Sequence, residues 1–578
     1  MSNSQPASAG LTALGKLISF VLIVGLIGLG AWIIFPSLMQ SPSTPAPQTG
    51  PAGPATANRS APGAAPALGA PKDAGPPLDL VPAQSSAPAL PPAVPYVVRD
   101  NTLDIELSEY AGYAGIIAAN NGLEPTENSY FFRKHAIKLR IKISEEESWA
   151  ALNEGKMAAS ATTADVLAVY GSAFSVVVPV QIGFSRGADG VVVAREIKRI
   201  NGLKGRALVA AQFTEAEFFL RWLAQEAGIP VKVIDDLDAP LDPAAISLVF
   251  AKDAFTAGDV FATELQRPAP RLAGCVTWEP KTSEVLAASA GKANLLISNK
   301  NILIIADVLI LNRGFAVQNP KLVAALTEGT LEGNRLINSG DSAALAAAAK
   351  AFKWDRAQLT SELTKVHLSN GPENVAFFSG AIDMAGSFGS IYQSAVFAYG
   401  RQYIPSPAPV ERFLALSHLE SLDKSGAFAG QAITIAPIRA AAGSIVETDP
   451  VLSKDIRFLF QPNSANLEAD RTENVQNLEA IIKLMRVSPG STILLRGHVD
   501  DTLLPEFQTK GGDAFVRQMA LKAVELSRNR AAEIRRLLIE KLKADPKRIE
   551  MVGRGWAEPV GTTSDEKRRV EVQWFTVE

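Results

Sequence analysis

"ILLRGHVDDT", Ile493–Thr502, carries an apolar run straight into Gly497, His498 and two adjacent carboxylates, Asp500 and Asp501. The run closed by glycine reads as a strand, "STILLRGHV", with both acids at its end. Before it stand a strand "DIRFLF" (455–460) and a helix "TENVQNLEAIIKLMRV" (472–487). After it come a long helix "RQMALKAVELSRNRAAEIRRLLIEKLK" (517–543) and two strands, "RIEMVGRGW" (548–556) and "RRVEVQWF" (568–575). This order describes a compact α+β sandwich over 448–578. Arg528, Arg530, Arg535 and Arg536 on the long helix read by themselves as a solvated basic face.

Four stretches occur here in a fixed order: "RGHVD", "LSRNRA" (526–531), "GRGWAEPV" (553–560) and "KRRVEV" (567–572). Together they resemble the GHTD, LSxxRA, GxGexxP and NRRVE motifs of the OmpA-like peptidoglycan-binding domain. The resemblance implies that Asp500 and Arg530 grip diaminopimelate, the zwitterionic residue of the peptidoglycan stem peptide. A carboxylate suits its ammonium group, and a guanidinium fork suits its carboxylate. Three departures stand out. Val499 occupies the motif's Thr position, and Ala523 replaces a usual Asn. Asp500 and Arg530 also stand twice as far apart in sequence as the family's pair. The added segment, 502–517, is expected to form a loop with extra helical turns, or a cover over the site. Asp501 is expected to supply a further acceptor in place of the lost polar groups. His498 is expected to make a structural hydrogen bond. No metal site is expected, because His135, His367 and His418 show no ligand spacing.

The N-terminal part has another texture. Leu17–Phe35 carries no charge and as a helix would span roughly 28 Å, close to a bilayer core. It reads as a transmembrane signal anchor behind a cytoplasmic N-terminus (1–16). Lys16 precedes it, and no basic residue follows before Arg59. Residues 36–95 are rich in Pro, Ala, Ser and Gly and read as a disordered tether reaching at most roughly 180 Å.

From 96 to 404 short apolar runs alternate with helical patterns. "IKLRIKI", "FSVVVPVQIGF", "GVVVA" and "GRALVAAQ" read as strands, and "TEAEFFLRWLAQEAG" reads as a helix. The alternation predicts parallel α/β units. "LNEGKMAASATTADVL" (152–167), "INGLKGRALVAAQFTEAEFFLRWLAQEAGI" (200–229), "AGCVTWEP" (273–280) and "FAVQNPKLVAALTEG" (315–329) resemble the substrate-binding proteins of ABC importers, in the nitrate, sulfonate and thiamine-precursor group. The resemblance implies a two-lobed periplasmic-binding-like domain closing on a small solute, by family habit an anion or zwitterion. Candidate solute ligands are Ser108, Tyr110 and Tyr113 after the first strand, Thr162 and Thr163 at a helix start, and Gln212 and Thr214. Thr214 and Glu217 are placed as a capping box. Trp278 and Glu279 face the cleft by analogy. A connector, 405–447, leads to the last domain.

The fold class is thus multidomain: anchor, linker, α/β two-lobed domain and α+β sandwich. The 578 residues exceed one core, and a net charge of −3 gives no pull toward nucleic acid. The single Cys275 excludes an intramolecular disulfide framework and is expected to be buried. No GxSxG, HExxH or phosphate loop appears, so no enzyme and no cofactor are expected. Asp500 and Asp501 would point to opposite faces if the strand continued through them, which argues against an acid–base pair. The expected function is that of an inner-membrane protein, its bulk in the periplasm, which holds peptidoglycan and a solute and serves an ABC permease or other envelope partner. The alternative is a structural anchor or scaffold whose middle domain engages a protein. A motor-stator role is disfavoured, because Leu17–Phe35 has no ionisable residue.

Overall fold

The computed structural model describes residues 77–575 apart from 145–147, 380–386, 436–449, 462–463 and 469–470. The expected membrane span at 17–35 and most of the linker lie outside the described residues. Among the described residues no helix is long and apolar enough to cross a membrane.

The middle region is built on two six-stranded sheets. One holds β1 (Thr102–Ser108), β2 (Lys138–Ser144), β3 (Ala159–Thr163), β4 (Val176–Ser185), β11 (Ala306–Asn312) and β12 (Val366–Leu368). The other holds β5 (Asp189–Ala194), β6 (Arg206–Ala211), β7 (Val231–Val233), β8 (Ile246–Ala251), β9 (Leu272–Trp278) and β10 (Ala293–Ser298). Every residue of β4 is buried, as its unbroken apolar run demands of a strand covered on both faces. The sheets are mixed rather than parallel. β1 pairs parallel with β2 and β3, and β6 with β8 and β9. β11 runs antiparallel to β3 and β4, and β5 antiparallel to β9 and β10. The cause is connectivity: the chain crosses between lobes at β4–β5 and returns at β10–β11, so strands enter each sheet in reversed sense. The result is the two-lobed α/β arrangement that the resemblance implies.

The linker does not stay free to residue 95. Val81 bridges Phe250 of β8 in one lobe. Farther on, Asn153 donates to the Pro91 carbonyl (2.6 Å), and Asn312 of β11 donates to the Val94 carbonyl (2.8 Å) in the other lobe. Residues 77–95 therefore form a strap joined to both lobes. A Pro-rich chain is already extended, and side-chain amides supply the partners that a sheet ladder would otherwise give. The expected connector is also partly absorbed. Phe413 is fully buried, Leu414 bridges Val178, and the Glu373 carboxylate accepts from the Thr434 and Ile435 N–H groups (2.7 and 3.0 Å).

The last domain is a four-stranded sheet ordered β13 (Leu452–Ile456), β16 (Val570–Phe575), β14 (Thr492–Gly497), β15 (Ile549–Gly553). The helix Thr472–Val487 lies where its periodicity predicts. The long helix starts earlier than expected, at Leu504, and runs to Glu540 with a break at Gly511 and Gly512. This domain docks on the middle region. Trp222 and Trp574 meet edge to face with ring centroids 6.3 Å apart. Asn201 and Ser453 exchange side-chain and backbone hydrogen bonds of 3.0 and 2.8 Å, and the Leu303 N–H donates to the Val487 carbonyl at 2.6 Å. Cys275 is buried in the second lobe, and burial pushes its thiol up.

Candidate functional site

Ser108, Tyr110, Tyr113, Thr162, Thr163, Gln212, Thr214 and Trp278 all line one cavity of about 360 Å³. They come from separate strand ends and helix starts, which the fold gathers between the two sheets. Glu279 is not among the lining residues. Its carboxylate accepts from the Ser283 N–H and hydroxyl (3.0 and 2.8 Å) and pairs with Lys365 (2.8 Å).

The cavity also exposes residues that the sequence pattern did not single out. Asp307 lies on β11, 3% exposed. The Tyr110 hydroxyl donates to one of its oxygens (3.3 Å) and the Tyr113 hydroxyl to the other (3.5 Å). Asp189 opens β5 at the crossover between lobes. Ser185 donates to it, and Asn299 of the return crossover donates at 3.1 Å. Burial pushes the Asp189 carboxyl up to about 6, opposed by those two donors. Burial, and next the Asp307 and Asp189 charges, push the Tyr110 phenol far up, so both carboxylates act on one hydroxyl. Tyr110 also packs edge to face on Tyr113 (5.2 Å) and Trp278 (6.1 Å). A lone Asp inside "ILIIADVLILN" was the available signal, since an acid in a fully buried strand needs a reason to be there.

Two expectations change. The Thr214–Glu217 capping box does not form. The Thr214 hydroxyl instead donates to the Ala211 carbonyl (3.0 Å), and Glu217 accepts from the Phe213 N–H (2.7 Å) while pairing with Arg221 (2.7 Å). The Gln212 amide is engaged on both sides by the strap: its oxygen accepts from the Gln84 N–H and its nitrogen donates to the Gln84 carbonyl, each at 2.8 Å. Pro88, Ala89 and Leu90 of the strap form part of the cavity wall.

In the last domain β14 stops at Gly497, so Asp500 and Asp501 lie beyond the strand and not on its alternating faces. Gly497 is required there, because a Cβ would collide with the Ser527 carbonyl of the long helix. Ser527 in turn accepts from the Gly555 N–H (3.0 Å). Helix, strand end and the 553–560 turn are thereby locked together. Asp500 pairs with Arg568 (3.2 Å) and accepts from the Thr502 N–H (3.2 Å). Burial raises its carboxyl, but the Thr502 bonds and Arg568 prevail and hold it below the usual range. Asp501 pairs instead with Lys567 (2.7 Å). Arg530 is 8% exposed, donates to the Ser464 carbonyl (3.2 Å) and stacks over Phe460 (5.1 Å). No ion pair joins it to Asp500 among the described residues, although the Asp500 charge acts on it. Phe507 and Phe515 of the added segment pack together (5.8 Å), and Phe507 also packs on Trp556 (6.1 Å).

His498 is buried beside Glu571 (3.7 Å), and Glu558 joins them so that the three place ligand atoms within 4.8 Å. Arg496 already bridges both carboxylates (2.6 and 2.7 Å), which makes this an ion-pair network.

The OmpA family model matches residues 459–573. No curated protein matches the chain by sequence. Among solved structures, the chain is similar to the alkanesulfonate-binding protein of Xanthomonas axonopodis pv. citri bound to MOPS. Identity is 14% and the TM-score 0.41, covering 56% of this chain and 100% of that one. The periplasmic aliphatic sulphonate-binding protein of Escherichia coli is similar at 14% identity and TM-score 0.41, over 60% and 99%. A Candida albicans protein with the generic periplasmic binding protein fold is similar at 9% and 0.40, over 54% and 96%.

Proposed function

We propose that this is a non-enzymatic binding protein that holds peptidoglycan through its OmpA domain and a small solute between the two lobes of its middle domain. The observation that carries the solute reading is the convergence of separate strand ends and helix starts on one cavity at the lobe crossovers. For the wall, diaminopimelate's ammonium group would go to Asp500 and its carboxylate to Arg530. Arg568 pairs with Asp500 and its charge opposes that of Arg530, so a ligand carboxylate between the two guanidiniums would relieve that repulsion. Leu17–Phe35 would anchor the chain in the inner membrane, with the bulk in the periplasm and an ABC permease or another envelope protein as partner. The OmpA domain docks beside the lobe crossovers, because the Leu303 N–H in the return crossover donates to the Val487 carbonyl. Tethering near a membrane partner raises effective solute concentration there. The test is co-sedimentation of the full-length chain with purified sacculi. Asp500→Ala and Arg530→Ala are each expected to lose binding, and retention in both would defeat the diaminopimelate clamp.

A further inference from the structure

The charges in the cavity point away from an anion. Among the described residues its lining carries Asp189, Glu215 and Asp307 against the single cation Lys252. Carboxylates also stand at two helix starts near the cavity, where their charge disfavours an anion, although Asp165 caps no N–H group. Glu217 takes the Phe213 N–H, and Asp165 stands at the start of the helix Val166–Tyr170. Asp307 accepts from the Tyr110 hydroxyl, and the Asp189 charge also acts on that phenol, both carboxylates lying in a region closed from solvent where they disfavour an anionic ligand. Tyr110, Tyr113, Trp278, Trp149 and Tyr170 all line the same space, and aromatic rings take ammonium groups by cation–π attraction. A second feature marks a ligand position. The Thr162 hydroxyl, 3% exposed on the cavity wall, has no hydrogen-bond partner among the described residues.

We infer that the cleft recognises a small organic ammonium ion. The inference rests on the cleft being a solute site. The cation lies between Asp189 and Asp307, against the Tyr110, Tyr113 and Trp278 rings, and Thr162 accommodates a polar substituent of the ligand. Anions are excluded by the same carboxylates.

The test uses the full-length chain in detergent and follows tryptophan fluorescence, since Trp149 and Trp278 border the cavity. Choline chloride and putrescine are the cationic probes, and sodium ethanesulfonate and sodium nitrate the anionic ones. A saturable response to a cationic probe, absent with the anions and weakened roughly tenfold or more in Asp307→Asn, is expected. Asp189→Asn serves as the second variant if circular dichroism shows that Asp307→Asn does not fold. A response to the anions alone overturns the ammonium assignment and leaves the solute-binding reading standing. A cation response unchanged in the folded variant also overturns the assignment. No response to any probe counts against both readings together.

Discussion

Gln84 and Gln212, 128 positions apart, exchange two hydrogen bonds of 2.8 Å that fasten the Pro-rich strap beside the cavity it helps to line. Each such bond contributes about 1 kcal/mol. Gln212→Ala is therefore expected to leave the fold intact and to speed amide exchange at Gln84 by roughly tenfold or more. Hydrogen-exchange mass spectrometry over 77–95 measures this, and unchanged protection there would show that the strap is held elsewhere.

The two acids that follow β14 have different partners. Asp500 faces Arg568 and lies within electrostatic reach of Arg530, whereas Asp501 is tied to Lys567. Asp501→Ala is expected to weaken sacculus binding by less than tenfold and Asp500→Ala by more, read from titrations of sacculi at two salt concentrations. Equal losses would make Asp501 a direct ligand.

The two large domains are joined through the Trp222–Trp574 pair, both rings buried. Trp574→Ala is expected to cost about 3–5 kcal/mol. It should also split the thermal unfolding of the chain into separate transitions, which scanning calorimetry resolves. One cooperative transition, merely shifted, would place the coupling in the hydrogen bonds of the Asn201 side chain and the Leu303 N–H.

Asp189 sets a pH dependence. Its carboxyl is raised by burial to about 6, with Ser185 and Asn299 donating to it, and its charge acts on Tyr110 and Asp165. A raised acid binds its proton more readily in the folded state, so it is neutral below that pH and charged above. Choline has no titrating proton, so its affinity is expected to rise about tenfold between pH 5 and 7. A flat profile in fluorescence titrations would remove Asp189 from the site.

Glu571 behaves oppositely. Burial raises it, but His498, Gln573 and Arg496 prevail and hold it down at about 2. Its stabilising contribution is complete above the ordinary glutamate value and is lost as pH falls toward about 2. That contribution is on the order of 3 kcal/mol at most. Glu571→Gln is expected to be destabilised at pH 7 and to lose less on acidification, as urea unfolding at pH 3 and 7 would show.

Much of this arrangement is legible locally. The helix Thr472–Val487 and the strand ending at Gly497 follow from periodicity and glycine placement over a few residues. The cavity residues were found because ligands gather at strand ends, whatever the solute. The Thr214–Glu217 capping box failed because the Thr214 hydroxyl turns to the Ala211 carbonyl while Arg221 and the Phe213 N–H take the two Glu217 oxygens, and no spacing rule includes these partners.

By itself, the sequence determined that an α/β region precedes an OmpA domain, the four motifs of that domain and the set of strand-end residues that line the cavity, because these depend on short-range pattern. Only the tertiary structure decided the reversed strands at the two crossovers, the strap beside the cavity and the meeting of Asp307 with Tyr110, 197 positions away. Those contacts join distant segments in a closed interior. Burial and charge there are properties of the assembled surroundings and of no single stretch of chain.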